Sequence, residues 1–358
     1  MNRQFGVLKG NSVDAILPQL KVSHDGEPFL RFEERTEGRR MLIFFADKDL
    51  EGLQAAEYVL GDGNFKFNPP EFHNPGQFYT LHVVVKAHPF LYALMQRMDR
   101  AAYETLFTVL RDGLIRKFGH VHTLSTSVTW LFDFEMAAIL AVKTVSSGTQ
   151  GAPKVHGCAF HYAKALNTKR DELGLKKLCA EHSGVALWMT RVRHLPFVPD
   201  EFRLQFAEDL LAAHPDLPPL EAARLQRFSR YFARFWIQNA VIKDICGQFK
   251  NTGPRTTNMA EGWHNGLLSR IDRRHPSLAE LLQWLQTSQH ATQNRMLALR
   301  LDPLAVGRPQ CPSVLRRNRL LLSEMDRFET YVAGHVPTFA DVANYLDSII
   351  ETGVLLAS

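Results

Sequence analysis

Residues 125–142 read "STSVTWLFDFEMAAILAV". The first half, rich in Thr, Val and Trp, has the composition of a buried strand, and the second half that of an apolar helix. A strand that passes directly into a helix is the unit of a layered α/β domain. Asp133 stands at the junction, and the edge where strands end is where ligands bind in open α/β sheets. The acid has an ordinary explanation too, as the N-cap of the helix that follows, with Glu135 adding charge to its first turn.

Working outward, "DLEGLQAAEYVLGDGNFKFNP" (49–69) predicts a short helix opening near Asp47 and an apolar strand ending at Asp62, flanked by Gly61 and Gly63. The glycines suggest a sharp turn that leaves the carboxylate open, though an Asp-Gly pair is also the commonest turn dipeptide. "GQFYTLHVVV" and "PFLYALMQR" predict two more strands, broken at His88-Pro89, and 100–118 carries helical periodicity. "KVHGCAFH" then predicts another strand and "YAKALNTKRDELG" another helix. The order is strand-strand-strand-helix-strand-helix-strand-helix, an α/β layered fold.

Around this core the character changes. Residues 1–44, ending in "RFEERTEGRR", read as a weakly ordered leader. Residues 45–180 form the α/β core, 181–250 turn all-helical and 251–300 bring a last acidic helix. Residues 301–358 form a helical tail. In the helical segment Leu225, Phe228, Phe232, Phe235 and Trp236 fall on one side of a helical wheel. Arg224, Arg227, Arg230 and Arg234 fall largely on the other: a solvated face, or a rail for phosphates. Ser277 and Glu280 are placed to open the helix after 277 as a capping box.

Composition sets outer limits. At 358 residues, 45% hydrophobic and 22% charged, the chain can build one large or two ordinary cores. A balance of 42 Lys+Arg against 37 Asp+Glu is mildly basic, which permits a polyanionic partner without demanding one. Four cysteines (Cys158, Cys179, Cys246, Cys311) do not make a secreted disulfide framework. No run approaches the ~18 apolar residues of a membrane span, and the first 20 residues lack the apolar core of a signal peptide. An intracellular, soluble protein with no membrane partner is expected.

A third acid, Glu261, lies in "TTNMAEGWHNGLLSRIDRRHPS" (256–277), three residues after Asn258 as in an N-cap/N3 pair. Singly, Asp62, Asp133 and Glu261 each have a structural explanation. Jointly, two strand-end aspartates and a helix carboxylate form the hard oxygen set that binds two divalent ions, Mg²⁺ or Mn²⁺. Two such ions about 3.5–4 Å apart clamp a phosphodiester for in-line displacement. The span from Asp133 to Glu261 is long for a minimal fold, and the helical segment 181–250 accounts for it as an insertion. His264 and Asn265 follow on the same helix face as Glu261, to contact a phosphate or to support the acid. Arg255, Arg270, Arg273 and Arg274 flank it as candidate DNA contacts. Trp263 is more often a core anchor than a base-stacking platform.

"DGNFKFNP", "FYTLHVV", "DFEMAA", "GCAFHYAKAL" and "TTNMAEGWHNGL…HPSLAELL", in that order across about 45–300, resemble the transposase domain of Mutator-like elements (MULE). The resemblance implies a ribonuclease-H-like mixed sheet with flanking helices, interrupted by an all-helical insertion before the last acidic helix. It also implies a DDE triad of Asp62, Asp133 and Glu261. The implied activity is metal-dependent DNA strand cleavage and strand transfer on double-stranded DNA in the nucleus, with homo-oligomerisation left open. Cys158 and His161 match the family's Cys-x-x-His landmark. With Cys179 and His182 they also have zinc-like spacing, but spacing alone is a permissive test and zinc is not favoured. Because the first cysteine is residue 158, no Cys-containing finger precedes the catalytic region, and a truncated or domesticated copy is expected. A non-catalytic DNA- or chromatin-binding derivative and a plain metal-dependent nuclease are the alternatives.

Overall fold

The computed structural model describes residues 16–54, 56–73, 76–84, 88–119, 128–147, 152–271, 273–302 and 311–354. Seven strands form one sheet: β1 (Leu30–Glu34), β2 (Met41–Phe44), β3 (Tyr58–Asn64), β4 (Gln77–Val83), β5 (His88–Met95), β6 (Thr129–Phe132) and β7 (Lys154–Gly157). Their spatial order is β1-β2-β5-β4-β3-β6-β7. The pairs from β1 through to β3 are antiparallel, whereas β3 and β6 run parallel. The molecule is therefore α/β with a mixed, open sheet, as the element order predicts. The chain divides into two compact units, Met1–Val155 with Thr257–Gly307, and His156–Thr256 with Arg308–Ser358.

In the first unit β4 and β5 are buried along their whole length, so their sequences need not alternate. Helix α1 (Arg100–Phe118) covers one face; Tyr103 meets the ring of Tyr79 edge-on at 5.1 Å. Asp99 caps α1 by accepting from Ala102 N at 3.0 Å, and left-handed Gly119 ends it. On the other face α9 (Asn258–Ile271) and α10 (Leu278–Leu301) bury Leu267, Ile271, Leu278, Leu281 and Leu285 against Phe44, Phe78, Tyr92 and Leu94. At ~25 cal/mol per Å², such apolar burial is the main stabilising term of the layer.

Two local expectations change. The charge run taken for part of a leader contains β1, a half-buried edge strand, followed by the fully buried β2 "MLIF". Charged residues on an edge strand blunt pairing with other chains, which is why this strand reads as polar leader. Residues 1–15 lie outside the described residues. Ser277 does cap α10, accepting from Glu280 N, but the Glu280 carboxylate pairs with Arg273 instead of closing the box.

The second unit is helical: α3 (Ala159–Glu172), α4 (Leu175–Glu181), α5 (Ser183–His194), α6 (Asp200–Ala212), α7 (Pro219–Phe232), α8 (Ala240–Ile245), α11 (Pro312–Val332) and α12 (Phe339–Glu351). It therefore begins at 156 rather than 181, and it includes most of the tail as well as the expected insertion. A π-helical turn, Ala233–Ile237, continues α7. Trp236 is buried there, but Phe235 is 37% exposed, because the wider turn shifts the wheel on which the five apolar residues aligned.

Candidate active site

Asp62 is not at a turn. It lies inside β3, opposite Thr80 of β4, and β3 continues to Asn64. The neighbouring glycines have another purpose than turning. A side chain at Gly61 would collide with the Tyr79 hydroxyl and the Phe132 ring, and one at Gly63 with the Gln77 amide. Glycine on both sides of Asp62 lets bulky side chains of β4 and β6 cross the strand on the α1 face, while the Asp62 side chain takes the opposite face. In the parallel β3–β6 ladder Gly61 pairs with Phe132, so Asp62, inside β3, and Asp133, just past the end of β6, follow in step on adjacent strands.

The Asp62 carboxylate is 5% exposed and is held by a residue 202 positions away: His264 Nδ1 lies 2.8 Å from its Oδ2. His264, 1% exposed, has its other ring nitrogen 3.0 Å from Thr80 Oγ1, and Thr80 Oγ1 lies 2.9 Å from His82 Nε2. A buried polar chain, Asp62–His264–Thr80–His82, thus crosses the face under α9. It fixes the ring and, through it, the carboxylate rotamer. His264 is consequently no phosphate contact. Of its two expected roles it has the supporting one, and the acid it supports is Asp62 rather than Glu261. Trp263 packs among Phe78, His82 and Tyr92 as a core anchor.

Asp133 does not cap α2 (Met136–Ser146); Glu135 occupies the N-cap position and its side chain makes no capping bond. Asp133 is part-exposed, yet its Oδ1 is sealed from solvent without a hydrogen-bond partner among the described residues. Burial, followed by the charges of Glu135, Asp62 and Glu261, pushes its carboxyl up to about 8. Glu135 is itself raised, by burial first and also by Asp62, although Tyr103 and Gln77 hydrogen-bond to it. Tyr79, beneath this group, is held well above its ordinary value by burial and then by Glu135, Asp133 and Asp62. Three carboxylates therefore bear on Asp133: Glu135 and the two other expected acids, Asp62 and Glu261. Glu135 is the member that sequence reasoning assigned only to helix charge, and its place two residues after Asp133 was the available signal. Thr80 and His82 gave no signal, since each lies within an ordinary strand pattern.

Among the described residues no three His, Cys, Asp or Glu side chains are already gathered as a metal-holding cluster. Asp62, Glu135 and Glu261 stand within electrostatic reach of Asp133, and one oxygen of Asp62 is engaged by His264. The donor set nevertheless suits a hard divalent cation: all carboxylate oxygen, like-charged, with one buried oxygen unpartnered. Comparison with protein-family models, with curated proteins and with solved structures finds no match.

The remaining expected site residues are divided between the two units. Asn265, Arg270 and Arg274 are exposed, and Arg273 is engaged by Glu280. In the second unit, Arg255 donates to Asn251 O at 3.2 Å and to the Asn318 side chain, fastening a loop to α11. Arg227, Arg230 and Arg234 are exposed, while Arg224 is partly covered, its guanidinium close to Gly174. Cys158 is buried at the N-terminus of α3 and His161 lies on the first turn of that helix. His182 Nδ1 accepts from Val185 N at 3.4 Å and so caps α5, leaving the second Cys-x-x-His pair a structural explanation. No disulfide links the four cysteines.

Proposed function

We propose that the first unit is a ribonuclease-H-like nucleotidyl-transfer core that cleaves and joins DNA phosphodiesters with divalent metal, as a DDE-type transposase domain does. The observation that carries the reading is the β3–β6 register, which sets Asp133 beside Asp62 on the neighbouring strand and leaves its Oδ1 sealed without a hydrogen-bond partner among the described residues; burial first, and then Glu135, Asp62 and Glu261, disfavour its anion. Like charges on neighbouring buried carboxylates are relieved when a cation offsets them. The strand order β5-β4-β3-β6-β7 supports the fold assignment, with the first acid on the central strand and the second after its parallel neighbour.

Asp62, Asp133 and Glu261 are the residues that would hold Mg²⁺ or Mn²⁺, with Glu135 beside them. When bound, the ions polarise a phosphoryl oxygen and make water or a 3′-hydroxyl a competent nucleophile. The protein's own contribution is positional. His264 locks Asp62 and, one helical turn after Glu261, pins α9 to β3, so that one contact sets the distance between two of the acids. The buried chain behind Asp62 keeps water off that side. Double-stranded DNA is the proposed partner, met in this unit by exposed cations such as Arg270 and Arg274; the α7 arginines are separate candidates within the second unit.

The test is nicking of supercoiled plasmid by the full chain with Mg²⁺ or Mn²⁺. Wild type is expected to nick and Asp133→Asn to lose nicking while retaining DNA affinity. Joining of a 3′-hydroxyl oligonucleotide to plasmid separates strand transfer from plain hydrolysis. If wild type binds DNA but shows no metal-dependent nicking, the non-catalytic reading replaces this one.

A further inference from the structure

A second convergence of donor atoms lies in the first unit, between the loop after β3 and the connection from α9 to α10. His73 Nε2 is 2.8 Å from the backbone oxygen of Asn68 and 3.0 Å from His275 Nδ1. His275 Nδ1 is in turn 3.1 Å from that same oxygen. The two rings meet edge to face with centroids 4.5 Å apart. Three heavy atoms thus mark the corners of one small triangle.

Hydrogen bonds cannot satisfy all three edges. Each edge needs a proton; the carbonyl has none, and each ring nitrogen carries at most one. If both nitrogens are protonated, two donors are forced together. If one is not, its lone pair faces the carbonyl lone pairs. A cation removes the conflict, because all three atoms are then acceptors directed at it. His275 is also held at φ +51°, a left-handed conformation uncommon for a residue other than glycine, and its N–H is fixed to Lys66 O at 2.7 Å. The backbone is therefore set to present this ring. Asn68, 1% exposed, donates its side-chain amide to Phe72 O and so fixes the loop that supplies the carbonyl.

The geometry points to a borderline transition-metal site (Zn²⁺, Ni²⁺ or Cu²⁺ class) ligated by His73 Nε2, His275 Nδ1 and the Asn68 carbonyl, with water completing the shell. Donors of a tetrahedral ion at about 2.0–2.1 Å stand about 3.3 Å apart, so the triangle needs to open by only a few tenths of an ångström. Imidazole suits these ions and disfavours Mg²⁺, so the site differs in chemistry from the carboxylate group around Asp133. The ion would clip the loop leaving the Asp62 strand to the connection leaving the Glu261 helix.

The experiment is calorimetric titration of the EDTA-treated full chain with Zn²⁺ and with Ni²⁺, in excess Mg²⁺. Wild type is expected to bind one ion that His73→Ala and His275→Asn each weaken by at least about tenfold. Asparagine tolerates the left-handed backbone, and its amide is a far weaker ligand than imidazole for these ions, so His275→Asn removes the imidazole donor without backbone strain. Equal thermal midpoints of His275→Asn and wild type in EDTA, together with loss of the metal-induced rise in the variant alone, support the site. Asp133→Asn is expected to retain the ion. Wild-type binding in both histidine variants, or no such ion in wild type, overturns the proposal.

Discussion

His264 and Asp62 are joined by a 2.8 Å contact between two buried side chains, one on a helix and one in the middle of the sheet. Truncating the imidazole leaves the carboxylate without its partner in an apolar layer. His264→Ala is expected to lose about 1–3 kcal/mol of stability in urea unfolding. His264→Asn, whose amide nitrogen occupies nearly the position of Nδ1, should recover much of that loss. Equal stability of the two variants would show that the contact does not hold the strand.

The glycines beside Asp62 make a sharper prediction. A methyl at Gly61 meets Tyr79 and Phe132, both fully buried and unable to retreat. Gly61→Ala is expected to cost about 1–3 kcal/mol by overpacking, with a larger effect if β3 and β6 separate. Pairing it with Tyr79→Phe, which removes the colliding hydroxyl, should return part of the loss in a double-mutant cycle.

Glu135→Gln should have opposite effects with and without metal. In EDTA, removing one of the like charges acting on Asp133 should raise the thermal midpoint. With Mn²⁺ present, the loss of a carboxylate from the donor set should reduce the metal-induced rise below that of wild type. A variant that matches wild type in both conditions places Glu135 outside the site.

Asp49 gives a pH dependence away from the site. Its carboxyl, buried under α10 and bonded by Ala46 N, Gln289 and Gln293, is pushed up to about 6, burial being the main cause. A folded value above the unfolded one means the native state binds the extra proton between pH ~4 and ~6. The contribution is therefore fully present below pH ~4 and lost as pH rises through ~6. The stability of wild type relative to Asp49→Asn should fall by about 2 kcal/mol from pH 4 to pH 7. A difference that does not vary with pH would exclude this titration.

For the cations, salt is the discriminating variable. Replacing Arg227, Arg230 and Arg234 with alanine should lower the slope of log affinity for DNA against log salt, by up to about one for each phosphate that the variant no longer neutralises. Arg255→Ala should instead destabilise the second unit, since that guanidinium joins Asn251 to Asn318. An unchanged slope in the triple variant removes the α7 stripe from the DNA surface.

What was legible in the sequence was local. Strand composition, helical period and Gly/Pro punctuation placed β3 to β6, α1 and the start of α10, because each depends on neighbours within a few residues. The same reasoning failed at β1, where edge charges look like leader, and at Gly61 and Gly63, where the constraint comes from side chains on other strands. The three acids were singled out as candidates by residue type and the order of short motifs. That Asp62 is held by His264, that Glu135 joins the group, and that His73 and His275 share one carbonyl were decided by tertiary structure alone. Those contacts link positions far apart in the chain, and their energies depend on burial, distance and the charge of neighbours that only the packed sheet and its covering helices bring together.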